Sequence, residues 1–132
     1  MNEPGVLVRS IAALVVGAGL ASIVYWVGAV IALLAMHGIP LGSSGGPPTW
    51  ADLLVHLSLA AAGTLAGSSV SMRIASGRRE LHATALGVLL AVIVLVGFSK
   101  PNNWPGWFGP AMAAACILGS LVAAAINARA RP

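Results

Sequence analysis

Four long apolar stretches, none with an Asp, Glu, Lys or Arg in its central part, constrain this 132-residue chain more than any other feature. They cover residues 11–36, 53–72, 81–98 and 110–127. A helix needs about 20 apolar residues to cross a hydrocarbon core of about 30 Å. Inside that core every backbone N–H and C=O must be satisfied within the segment, so separated apolar runs of this length resolve as helices. The expected fold is an all-α integral membrane protein: one domain over 1–132, with four transmembrane helices in an up-down-up-down bundle. Composition agrees. The chain is 58% hydrophobic and 8% charged, with mean hydropathy +0.94, against about a quarter charged in an ordinary soluble domain.

The connections read as irregular. "HGIPLGSSGGPPTW" and "SKPNNWPGWFG" are rich in Gly, Pro, Ser and Asn, and "RIASGRRE" places Gly77 at a helix end. Pro110 suits a first helical position. Lys and Arg beside the spans set orientation. Arg9, Arg73, Arg78, Arg79, Arg129 and Arg131 fall on one side and Lys100 alone on the other. Both termini are therefore expected inside, with the arginines topogenic or in contact with lipid headgroups. Trp50, Trp104 and Trp107 fall in or beside the two outer connections, as an aromatic belt at the outer interface would. Tyr25 and Trp26 fall within the first span and read as packing or lipid-facing residues.

The net charge of +4 does not point to nucleic acid, because no basic stripe with interleaved aromatics exists. The single cysteine, Cys116, has no disulfide partner in the chain and reads as a small packing residue among alanines. The first apolar run exceeds the ~7–15 residues of a signal-peptide core and is expected to be retained. Abundant Arg, Ala and Gly beside a single Lys are associated with GC-rich bacterial genomes. A bacterial inner membrane is the expected location.

Helical projection of the second span collects Asp52, His56, Ala60, Gly63, Gly67 and Ser71 within a stripe roughly 100° wide. Gly63 and Gly67 form a literal GxxxG. Lipid tails are as apolar as leucine, so helices in a membrane associate through small residues that let backbones approach. The fourth span repeats the device with Ala111, Ala115, Gly119, Ala123 and Asn127. A shift of 52 superposes Ala61, Ala62, Gly67 and Ser68 on Ala113, Ala114, Gly119 and Ser120. A shift of 59 superposes Gly28, Ala32 and Gly38 on Gly87, Ala91 and Gly97. This gives a weak 2+2 hairpin repeat. Packing within the four helices is favoured over an oligomer seam.

Chemistry-bearing residues are few. "TWAD" is a capping-box pattern in which Thr49 and Asp52 satisfy each other's backbone at a helix start. His56 lies one turn below Asp52, and His37 ends the first span on the same side. Two histidines and a carboxylate could hold a metal or, across helices, a haem, although capping is favoured for Asp52 and an interfacial role explains each histidine equally. Ser58, Thr64, Ser68, Ser69, Ser71 and Ser120 are the polar groups within the spans, and no acid or histidine stands beside them to activate a nucleophile. No catalytic residues are expected.

The first functional expectation is a small non-catalytic membrane protein. It would be an accessory or structural subunit that packs through its small-residue faces, in a larger complex or with itself, and needs no cofactor. The second is a small oligomeric channel or carrier for a weakly polar solute. The third is a haem- or metal-binding membrane subunit using His37, His56 and Asp52.

Overall fold

A computed structural model describes residues 4–37, 47–75, 77–100 and 103–130. The described residues form four helices and no strand: α1 (Pro4–His37), α2 (Trp50–Ile74), α3 (Arg79–Phe98) and α4 (Phe108–Arg129). All four are long and apolar enough to cross a membrane. The chain has the architecture of a small multi-pass integral membrane protein.

The helix ends follow local chemistry, with three departures from the sequence reading. First, α1 begins at Pro4, well ahead of its apolar stretch. Proline's fixed φ and missing N–H suit a first turn, and the helix of 34 residues is about 51 Å long, more than a bilayer core requires. Second, α4 starts at Phe108, so Pro110 sits third. Its missing N–H is still among the four that a helix start leaves without an intrahelical partner, and the buried Phe108 ring anchors the turn. Third, α2 ends at Ile74 with Ala75 extended, and Gly77 does not cap it. The positive φ falls on Arg78 (φ 43°), the residue before α3.

Consecutive helices run antiparallel. Between α1 and α2, Gly17 meets Gly67, Ala21 meets Gly63, and His37 meets Asp52. Between α3 and α4, Gly87 meets Ser120 and Gly109 meets Phe98. α2 packs on all three other helices, while α1 and α4 share no close approach. The arginines of the described residues (Arg9, Arg73, Arg78, Arg79 and Arg129) are thereby gathered at one end of the bundle, away from His37, Asp52 and Lys100; Arg131 lies outside the described residues.

Small residues set the helix spacing. A Cβ on Gly63 would stand 2.7 Å from the Ala21 carbonyl oxygen, and one on Gly67 would collide with the Gly17 carbonyl oxygen. A Cβ on Gly119 would collide with the Ala61 carbonyl oxygen of α2. Ala60, Gly63, Gly67 and Ser71 of the α2 stripe are all buried, as are Gly119 and Ala123 of α4; Ala111 and Ala115 are half-buried. The two halves do not use these positions equivalently. Gly67 faces α1, whereas Gly119, its counterpart at the shift of 52, faces α2 rather than α3.

A candidate ligand cavity under an aromatic and polar rim

The end of the bundle opposite the arginines begins with the capping box read from the sequence. The Asp52 amide donates to Thr49 Oγ1 (3.3 Å), and the Thr49 amide and hydroxyl both donate to Asp52 Oδ2 (2.7 Å each). That leaves Oδ1, which meets Nε2 of His37, the last residue of α1, at 2.8 Å. One carboxylate thus starts α2 and ties down the end of α1. Asp52 precedes the apolar stretch 53–72. Its carboxyl is held down at about 2 by the His37 hydrogen bond first and the Thr49 hydrogen bonds next.

His56 does not join this pair. Its Nδ1 lies 2.8 Å from the Tyr25 hydroxyl of α1. The structure therefore brings His37 and Asp52 together but gives His56 a different partner. Among the described residues no group of three His, Cys, Asp or Glu side chains is placed to hold a metal ion.

An aromatic cluster surrounds His56. The Trp104 ring meets it edge to face, with centroids 5.1 Å apart, and stacks on Phe108 at 4.7 Å. Phe98 packs edge-on against both Trp104 and Phe108. Tyr25 meets Trp26 edge-on at 5.4 Å. Every helix and the α3–α4 connection contribute a ring. The three tryptophans expected at the outer interface divide here. Trp50 is 71% exposed and stacks on the exposed Trp107, as an interfacial pair would. Trp104 is half-buried within the cluster.

Beneath the rings lies a cavity of about 380 Å³. Ala21, Ser22, Tyr25 and Trp26 line it from α1, and His56, Ala60 and Thr64 from α2. Leu90, Ile93, Val94 and Phe98 line it from α3, Trp104 from the connection, and Met112 and Cys116 from α4. None of these residues carries a formal charge. The antiparallel register puts the rings toward the Asp52 end and Ala21, Thr64, Leu90 and Cys116 toward the arginine end. α1 and α3 touch at Gly17 and Leu86, toward the arginine end. The cavity fills the space between them toward the Asp52 end. At its rim Trp26 is 66% and Ile93 55% exposed, so it opens sideways between these two helices.

Below the cavity the interior closes. Thr64 donates to the Ala60 carbonyl at 2.8 Å and Ser120 to the Ile117 carbonyl at 2.7 Å. Ser68 and Ser71 are fully buried, and their hydroxyls have no hydrogen-bond partner among the described residues.

The sequence reading singled out His56 but missed Tyr25 and the inward face of Trp104. Tyr25 follows only once the α1–α2 register is known. Continuing the ladder Gly17–Gly67 and Ala21–Gly63 by one turn brings Tyr25 beside Leu59 and His56. Nothing comparable announces Trp104, whose place depends on how an irregular connection folds back. No protein-family model, no curated protein and no solved structure matches this chain.

Proposed function

We propose that this is a non-catalytic multi-pass membrane protein that binds, and as a carrier moves, a weakly polar, uncharged molecule taken from the lipid phase. The cavity carries this reading. At about 380 Å³ it falls within the ~300–1,000 Å³ of small-molecule sites. It is apolar except at a few points, and the Tyr25–His56 pair supplies one orienting polar group. The absence of a charged lining residue favours a neutral solute, because transferring an ion into such a site costs far more than a few hydroxyls return. The bias of arginines over Lys100 favours termini on the cytoplasmic side, with the cavity in the outer half of a bacterial inner membrane.

The test is native mass spectrometry of protein released from lipid nanodiscs, with organic extraction of what it retains. A neutral small molecule should accompany the wild type and be lost from Val94→Trp, which fills the cavity from α3. An empty wild-type protein that also gives no flux in proteoliposomes ends the reading.

The accessory-subunit reading stands second. Of the 34 residues of α1, only Ala13, Gly17 and Ala21 are buried, which leaves a long apolar face for lipid or neighbouring helices. Gly63, Gly67 and Gly119 are already used within the chain, so a partner would have to use what remains. Gly19 on α1 and Gly97 on α3 have open space beside them. Extraction in mild detergent followed by native mass measurement decides it. A folded monomer with no co-purifying protein argues against this role.

A further inference from the structure

We propose that the cavity binds a quinone-type amphiphile: a neutral planar ring with a carbonyl oxygen, held among the rings at the outer end, and an alkyl or isoprenoid tail that leaves between α1 and α3 into the lipid. This rests on the cavity-binding reading and narrows it to a chemical class.

The distribution of side chains along the cavity favours a ring at one end. Tyr25, Trp26, His56, Phe98 and Trp104 stand at the outer end, while aliphatic and small side chains line the remainder. Ring faces attract other rings in offset or edge-on geometry beyond what area alone supplies. A simple acyl chain gains nothing from this arrangement that lipid does not already provide.

The polar pair selects the ring's substituent. If the Tyr25 hydroxyl donates to His56 Nδ1, the imidazole proton is on Nε2 and that N–H is left over. If Nδ1–H donates to the Tyr25 oxygen, the phenolic O–H is left over. Either tautomer leaves the pair with one further donor, so it can receive a carbonyl oxygen. Among the described lining residues none carries a fixed charge to pair with a carboxylate, a phosphate or an ammonium group, which disfavours ordinary phospholipids and free fatty acids. The sideways opening past exposed Trp26 and Ile93 gives a tail a way out without crossing the polar end. The proposal concerns binding and involves no electron transfer by the protein.

The experiment titrates a decyl-substituted benzoquinone into the full-length protein in phosphatidylcholine nanodiscs and follows tryptophan emission, since quinones quench indoles in contact. Decylbenzene (ring without carbonyl) and a short-chain diacylglycerol (carbonyls without ring) serve as competitors. Saturable quenching is expected, retained in the Trp50→Phe/Trp107→Phe double variant and mostly lost in the Trp26→Phe/Trp104→Phe double variant. Tyr25→Phe and His56→Phe should each weaken binding by roughly 3–10-fold, as loss of one hydrogen bond would, with helical circular dichroism unchanged. Val94→Trp should abolish the saturable phase. Quenching that rises linearly and is the same in Val94→Trp reports membrane partition alone and overturns the proposal. Retention of diacylglycerol or another ringless neutral molecule, with no quinone competition, overturns it while leaving the cavity-binding reading intact. A wild-type protein that retains nothing and shows no saturable phase removes both.

Discussion

The two ends of this bundle use their interior in opposite ways. Toward the arginines, Gly17 lies on the Gly67 backbone and Gly87 on the Ser120 side chain, with no room for a Cβ at either glycine. Toward Asp52 and His37, the interior holds Tyr25, His56, Phe98, Trp104 and Phe108. Rings of that size keep the helices apart and cannot fill every gap between them, so the same four helices that close at one end leave a cavity at the other. Close contact in a membrane comes from small residues, because lipid tails solvate large apolar side chains as well as a neighbouring helix does. The arginine end therefore carries the fold, and the Asp52 end is free to carry a site.

The sharpest way to break this contrast is to put bulk where the backbones touch. Gly67→Leu should destabilise the protein by about 3 kcal/mol or more, because its Cβ alone already collides with the Gly17 carbonyl. Gly19→Leu, with nothing beside it, should stay within about 0.5 kcal/mol. Equilibrium unfolding in mixed micelles compares them, and equal effects would mean that α1 and α2 do not meet at this seam. At the Asp52 end, Tyr25→Phe should cost only about 1 kcal/mol in the same assay. A loss as large as that of Gly67→Leu would make the pair a structural tie rather than part of a binding site.

Thr49→Ala removes one arm of the capping box, and about 1 kcal/mol of stability should go with it. Fraying at the start of α2, read by amide hydrogen exchange, should report it most directly. The Asp52 contacts also predict a pH response. The folded carboxyl is lowered from 3.8 to about 2, so its contribution is present in full above pH 3.8 and fades as pH falls toward 2. The group is near the surface and its hydrogen bond with His37 is exposed to solvent, so the effect should be small. Unfolding midpoints of wild type and Asp52→Asn should converge between pH 4 and pH 2, and a gap that widens on acidification contradicts the arrangement. The smallest expected effect is at Arg78, whose positive φ is one that glycine adopts without strain. Arg78→Gly should raise stability by about 0.5 kcal/mol, and a clear loss would show that the side chain holds the connection.

Much of this was legible in the residues. The capping box needed only Thr49 and Asp52 at the right spacing, because its contacts are local. The α2 face was legible too, since a 3.6-residue period decides which residues share a side. What could not be read was which helix lies on that face. Gly63 and Gly67 could have faced another copy, and only the registers at Ala21 and Gly17 show that α1 occupies them. Among the described residues His37, Asp52 and His56 do not come together as one group, for a related reason. His37, Asp52 and His56 are neighbours on a helical projection, yet Tyr25 from the facing helix takes the Nδ1 of His56.

The sequence by itself determined the four helices, their capacity to span a membrane and the chemistry of their exposed ends. Hydrophobic run length, capping and small-residue spacing act within a segment and need no partner. The tertiary structure decided the cavity, the Tyr25–His56 pair and the inward place of Trp104. Each of these depends on the distance between elements far apart in the chain, and that distance is set by the side chain that intervenes: a hydrogen atom at Gly67, an indole at Trp104.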